Sequence, residues 1–131
     1  MKRILLAVFA FLLLFALCGC RKTRVNKNAD VTLTFIYGEE NIEIVLPEEE
    51  AEKVIAILDG KAYDPIGEGI PSCGFHKNIS LKVGNRVFAI ACDACNCIRD
   101  LGNLRYFTVD EEDMDYIHVL FEKYGGYFPC I

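Results

Sequence analysis

The sequence of 131 residues is poor in positive charge, since 14 lysines and arginines stand against 19 aspartates and glutamates and the formal net charge is −5. Nucleic acids attract basic surfaces, so this deficit argues against a nucleic-acid partner. With only ten glycines and four prolines, a collagen-like or low-complexity chain is excluded. Phosphate-loop, nucleophile-elbow and dinucleotide-binding motifs are missing as well, and the enzyme classes that those motifs mark find no support.

The residues that are present predict one folded domain. Hydrophobic residues make up 53% of the chain and aromatic residues 11%, which is enough apolar surface to form a core. A chain of this length has no room for a second sizeable core.

The first 19 residues have the layout of a secretory signal peptide. Lys2 and Arg3 form a cationic start, and an unbroken apolar run extends from Ile4 to Leu17. The run has about 14 residues, whereas a helix that spans a bilayer needs about 20. We therefore expect residues 1–19 to be removed on export and not to remain as a membrane anchor.

The segment Leu17-Cys18-Gly19-Cys20 resembles the bacterial lipobox, in which the cysteine after a small residue is lipidated and becomes the first residue of the mature chain. The resemblance implies a diacylglyceryl group on Cys20 and a lipoprotein held at the outer face of the bacterial cell membrane. Each buried CH₂ group contributes about 0.8 kcal/mol, so two or three acyl chains form a firm anchor. Secretion without a lipid is the alternative.

Four bases lie close to the predicted lipid, namely Arg21, Lys22, Arg24 and Lys27. The chain from residue 30 onward has eight bases and 19 acids. Bases beside anionic head groups are attracted by about 1 kcal/mol each, whereas an acidic domain is repelled. The pattern predicts a flexible basic tether over residues 20–29 and one folded domain over residues 30–131.

Alternation of apolar and polar residues predicts two hairpins. The first joins strands at Val31–Tyr37 and Ile42–Leu46. The second joins strands at Ile79–Val83 and Arg86–Ala91 through Gly84-Asn85, a typical two-residue hairpin turn. Each hairpin has one apolar face, which we expect to be buried.

A helix is predicted after each hairpin region. Pro47 and three glutamates begin a short amphipathic helix that ends near Gly60, and a second helix begins near Asp110 and ends at Gly125. A short fifth strand is predicted at Leu104–Phe107. The element order β-β-α-β-β-β-α predicts a two-layer α+β domain, with a mainly antiparallel sheet of about five strands and both helices on one face.

Five cysteines spread over 58 positions are predicted to meet at one end of this sheet. Cys73 precedes the third strand and Cys92 follows the fourth, so antiparallel pairing brings the two together. Cys95 and Cys97 lie in the loop that leaves the fourth strand. The second helix then returns the chain, so that Cys130 reaches the same end.

Disulfide bonds are the first of three chemistries that these cysteines allow. An exported domain of this size is expected to form two bridges and leave one thiol. The expected pattern joins Cys73 to one member of the 92–97 group and Cys130 to another. Each bridge would contribute about 2–4 kcal/mol.

The other two chemistries use a metal or a reactive thiol. Cys73-x₂-His76 and Cys92-x₂-Cys95 have the ligand spacing of a zinc ribbon, so a structural zinc site at these four residues is an alternative. Thiol–disulfide exchange at Cys92 and Cys95 is the third. Such exchange needs a lowered thiol pKa, and the charge of Asp93 acts in the opposite direction.

Apolar residues between positions 61 and 77 recur with neither the helical nor the strand period, so this segment is predicted to be a loop. Loops of this length are usually functional or cross-linked. Rigid scaffolds often present binding residues on such loops, and the candidates are Tyr63, Ile66, Ile70 and Phe75. We expect a non-catalytic surface module that binds a protein, a cell-wall component or a small molecule. A zinc-binding or thiol-redox protein is the alternative.

Three segments from the C-terminal half are similar to a group of small uncharacterised lipoproteins of Gram-positive bacteria. They are Ser72-Cys73-Gly74-Phe75, Ala91-Cys92-Asp93-Ala94-Cys95 and Tyr124-Gly125-Gly126-Tyr127-Phe128-Pro129-Cys130. The resemblance implies an exported, cysteine-rich domain. It implies no activity and assigns no functional residue.

Overall fold

The computed structural model describes residues 21–65 and 74–125, and this part of the chain forms an antiparallel sheet and two helices. The strands are β1 (Val31–Tyr37), β2 (Glu40–Val45), β3 (Phe75–Val83), β4 (Arg86–Ala91), β5 (Cys97–Asp100) and β6 (Arg105–Thr108), and the helices are α1 (Glu48–Leu58) and α2 (Glu111–Lys123). The strand order is β2-β1-β3-β4-β5-β6. The fold is α+β, as predicted.

Both predicted hairpins form, but only the second has the predicted register, because Tyr37 pairs with Glu40 and the first turn has two residues where the strand bounds predicted four. Leu33 pairs with Ile44 across β1 and β2, and Leu81 pairs with Phe88 across β3 and β4. Gly84 begins the second turn with a φ of 57°, a left-handed conformation that glycine adopts without strain. The local signals therefore find all four strands, although β2 and β3 begin earlier than predicted, at Glu40 and Phe75.

The described part of the sheet has six strands, so the prediction of about five is wrong. The additional strand is β5, which lies within the segment predicted to be a cysteine-rich loop. Its residues Ile98 and Asp100 are fully buried and pair with β4. A four-residue strand shows no readable period, and it forms because β4 and β6 pair with it on both sides.

The two helices run in opposite directions. Glu50 at the start of α1 accepts hydrogen bonds from Lys123 and Tyr124 at the end of α2. Lys61, just beyond α1, has its Nζ 3.4 Å from the Asp113 carboxylate at the start of α2. Polar contacts therefore join the helices at both ends.

One buried cluster joins both helices to alternate residues of the strands. Its largest fully buried side chains are Phe88, Phe107, Phe121, Leu33, Leu58, Leu81, Ile90, Ile98, Met114, Ile117, Val31 and Val54. Burying a side chain of this size contributes about 1.5–3 kcal/mol. The apolar faces of the hairpins and the apolar faces of the two helices thus form a common core.

The segment predicted to be a flexible tether is instead packed against the domain at Thr23 and Val25, whereas residues 26–28 are exposed. Thr23 is fully buried, and its Oγ1 donates a hydrogen bond to Leu58 O (2.6 Å) and accepts one from Lys61 N (2.8 Å). Val25 N donates to the Asp59 carboxylate at 3.1 Å. Composition does not reveal this packing, because the partners lie 34 to 38 positions away in the sequence.

Candidate functional site

One end of the sheet, here named the cysteine end, holds Cys92, Cys95 and Cys97 between the end of β4 and the start of β5. Cys92 N donates a hydrogen bond to Gly74 O at 2.8 Å, which brings the residue after Cys73 beside Cys92. The predicted disulfide partners Cys73 and Cys130 lie outside the described residues. The lipidation candidate Cys20 and the predicted signal peptide 1–19 also lie outside them.

The three cysteines at this end are in different states. Cys95 is disulfide-bonded, and the sulfur to which it is bonded is not among the described residues. Cys97 carries a thiol group, and the sulfur of Cys92 lies 3.8 Å from Ile90 O. The expected pairing of the cysteines stays a prediction, because Cys73 and Cys130 lie outside the described residues. Cys97 begins β5 and is only 6% exposed, so its sulfur is held within the sheet.

Burial raises the pKa of the Cys97 thiol to about 11, and the charges of Asp64 and Asp93 act in the same direction. A nucleophilic cysteine needs a lowered thiol pKa. Cys97 is therefore a poor nucleophile near neutral pH.

The zinc alternative finds no assembled site in the part of the chain that the structure describes, where no three metal-ligating side chains come together. His76 is exposed, and its Nδ1 accepts a hydrogen bond from Asn78 N at 3.2 Å. Cys95, as a half-cystine, has no thiolate to offer a metal. The fourth proposed ligand, Cys73, is outside the described residues.

The four binding-loop candidates have different surroundings. Tyr63 is 8% exposed and its ring packs edge-on against Phe107, so most of this side chain contributes to the core. Phe75 is half-buried, with its ring 5.5 Å from that of Tyr106. Ile66 and Ile70 lie outside the described residues.

Phe75 belongs to an aromatic patch on the sheet face opposite the shared core, near the cysteine end. The patch is formed by Phe75, Tyr106 and Arg99, whose guanidinium lies 5.4 Å from the Tyr106 ring. The Nε of Arg99 is buried and has no hydrogen-bond partner among the described residues. A buried donor beside two half-buried rings is suited to an acceptor group on a ligand.

The opposite end of the sheet, here named the cleft end, contains a buried polar network that sequence analysis missed. The carboxylate of Asp100, at the end of β5, is 1% exposed and forms an ion pair with Arg86. Tyr63 Oη donates a hydrogen bond to Asp100 at 2.5 Å, and Asn103 Nδ2 donates to it at 3.0 Å. Arg86 also donates to Arg24 O, which connects the network to the N-terminal segment.

The only sequence signal for this network is the turn chemistry of Asp100-Leu101-Gly102-Asn103. The carboxylate of Asp100 accepts a hydrogen bond from Gly102 N at 3.0 Å, as in an Asx-turn. Arg86 and Tyr63 have no such local signal, because their partners are distant in sequence.

Tyr63 serves this network as a hydrogen-bond donor. Burial raises the pKa of its phenol, and the hydrogen bond to Asp100 acts in the same direction. The hydroxyl therefore stays protonated near neutral pH and cannot act there as a base.

A cleft of about 720 Å³ lies above the network. Its lining residues are Arg21, Lys22, Thr23, Arg24, Val25, Asp59, Gly60, Tyr63 and Asn103. The side chains of Arg21, Lys22 and Arg24 are exposed and form no ion pair with a described residue. The cleft therefore offers three available positive charges in an acidic protein.

Neither described helix combines the length and the apolar character of a membrane span. No protein-family model, curated protein or solved structure matches the chain.

Proposed function

We propose that the mature protein is a lipoprotein anchored through Cys20 at the outer face of the bacterial cell membrane, where it acts as a non-catalytic binding or structural module. The observation that carries the proposal is the packing of the chain directly after Cys20. Arg21 O accepts a hydrogen bond from Tyr63 N at 3.2 Å, and Thr23 is fully buried. Cleavage before Cys20 would leave these contacts in place and attach the lipid to the edge of a folded domain.

The finer architecture belongs to the same proposal. The shared core supports a two-layer domain with both helices on one face of the sheet. A disulfide at Cys95 would cross-link the cysteine end, as is usual for small exported domains. The aromatic patch is the binding face that we favour for a protein, cell-wall or small-molecule ligand, because Arg99 Nε is a buried donor without a described acceptor.

The anchor is tested with two cysteine substitutions in the full-length precursor. Cys20→Ser should release the domain from the membrane fraction, and intact-mass analysis should lose the mass of the lipid. Cys18→Ser is the matched control, because Cys18 leaves with the signal peptide and its loss should not alter anchoring. A Cys20→Ser variant that stays with the membrane would refute lipidation at this residue.

A thiol-redox or zinc-binding protein is the second candidate, and the disulfide-bonded state of Cys95 within the Cys92-x₂-Cys95 motif favours it. Counting thiols in the mature protein, with and without a chelator, separates the two functions. One zinc ion per chain, or a dithiol that cycles with a thioredoxin-like donor, would support the second candidate. Unreactive thiols without metal would support the first.

A further inference from the structure

We propose that the cleft end docks directly on the anionic phospholipid head groups of the membrane that holds the lipid of Cys20, so that the domain has a fixed orientation with its cysteine end facing away. This inference rests on the proposed lipidation of Cys20. Beyond the anchor itself, the inference names anionic head groups as the partner of the basic cleft and predicts that the cysteine end points away from the membrane.

The packed N-terminal segment leaves almost no slack between lipid and domain. Thr23 is held by hydrogen bonds to Leu58 and Lys61. Three peptide units separate Cys20 from Thr23, and each spans at most about 3.8 Å. The Cα atom of the lipidated Cys20 would therefore lie within about 11 Å of that of Thr23, and the head groups a side-chain length beyond it, whichever way the domain turns.

The charges at the cleft end favour an anionic surface. Arg21, Lys22 and Arg24 line the cleft, and Asp59 is the only acid among its described lining residues. The Asp59 carboxylate already has Lys27 Nζ at 4.0 Å. Each base near an anionic membrane strengthens binding about fivefold. Three available bases held within reach of the membrane should therefore set the orientation.

The cysteine end lies at the opposite end of the strands. Arg86 at the start of β4 contacts the N-terminal segment, whereas Cys92 directly follows the end of β4. Six residues of strand span about 20 Å. At physiological ionic strength the membrane charge is screened over about 8 Å, so the cysteine end would be outside its influence.

Tryptophan quenching by brominated lipids tests this orientation, because the native sequence has no tryptophan. Asn85→Trp places a probe in the exposed turn before Arg86, at the cleft end. Tyr37→Trp places one at the opposite end, where Tyr37 is 70% exposed. The lipidated protein is reconstituted into vesicles with brominated phosphatidylglycerol, and quenching should be at least about threefold stronger for Asn85→Trp. Equal or reversed quenching would overturn the orientation.

Charge reversal tests the role of the bases. Lys22→Glu combined with Arg24→Glu should reduce the quenching ratio of the two probes to about one. Lys53→Glu combined with Lys82→Glu changes the net charge equally at two exposed residues outside the cleft lining and should preserve the ratio. An equal loss of the ratio in both double variants would overturn the assignment to the cleft.

Two further measurements distinguish membrane docking from a missing anchor and from a soluble anion in the cleft. Intact mass without lipid would refute the proposed anchor and the inference together, whereas lipidated protein with equal quenching would refute the orientation alone. Calorimetry with soluble glycerol phosphate, in the absence of vesicles, tests a free anion as the occupant. Binding heat that is lost in the Lys22→Glu/Arg24→Glu variant, with no preferred orientation on vesicles, would assign the cleft to a soluble ligand and overturn membrane docking.

Discussion

Thr23 is the residue through which the N-terminal segment is most firmly attached to the domain. Thr23→Val keeps the shape of the side chain but leaves Leu58 O and Lys61 N without the hydroxyl that satisfies them. Buried groups that lose a partner cost about 1–3 kcal/mol. We expect the free energy of unfolding in urea to fall by that amount.

Thr34→Val is the matched control for this substitution. Thr34 is half-buried on a strand, where valine has a good β-propensity. The control should change the free energy of unfolding by less than about 0.5 kcal/mol. If the two variants were equally stable, the Thr23 hydroxyl would not hold the segment.

At the scale of elements, the contacts between the two antiparallel helices predict that Glu50 contributes to the free energy of unfolding in a pH-dependent way. Hydrogen bonds from Lys123 and Tyr124 hold the pKa of the Glu50 carboxyl below its usual range. As the pH falls, the unfolded chain binds the proton first. The stabilisation is therefore complete above the unfolded carboxyl pKa, about 4.3, and is lost as the pH falls through the folded value.

Glu50→Gln tests this expectation. The variant should be less stable than the wild type at pH 7, and the difference should shrink as the pH falls from about 5 to 3 in urea titrations. Glu49→Gln is the control, because Glu49 is exposed and forms no ion pair among the described residues. A difference between wild type and Glu50→Gln that stays constant with pH would show that the carboxylate charge does not matter.

Elements whose signals are local could be predicted from the sequence, and elements that depend on distant partners could not. The Gly84-Asn85 turn and the alternation around it give the β3–β4 pairing correctly, including Leu81 opposite Phe88. Strand β5 was missed because its four residues become a strand only between β4 and β6. The docking of Thr23 was missed for the same reason.

The candidate sites follow the same physical division. Spacing along the hairpin predicted that Cys92, Cys95 and Cys97 lie near one another, but the state of each sulfur depends on burial and on distant cysteines. The buried Asp100 looks like an ordinary loop acid in the sequence. Its role appears only when the fold brings Arg86 and Tyr63 to it.

At the scale of the whole molecule, the ion pair of Asp100 and Arg86 connects three parts of the chain: the N-terminal segment, the start of β4 and the turn between β5 and β6. Asp100→Asn would leave the partly buried Arg86 without its counter-charge. Removing one partner of a buried pair costs about 3–5 kcal/mol, and the remaining exposure of Arg86 favours the lower end of this range. We expect the free energy of unfolding to fall by about 3 kcal/mol.

The double substitution Arg86→Met with Asp100→Leu distinguishes a stabilising ion pair from an unpaired buried charge. Because both charges are removed, it should recover much of the stability lost in Asp100→Asn. Lys27→Met is the surface control, since it breaks a pair at 4.0 Å in which the lysine is 77% exposed, and its effect should stay below about 0.5 kcal/mol. A double variant no more stable than Asp100→Asn would mean that the hydrogen bonds to Tyr63 and Asn103, and not the charge balance, hold the cleft end together.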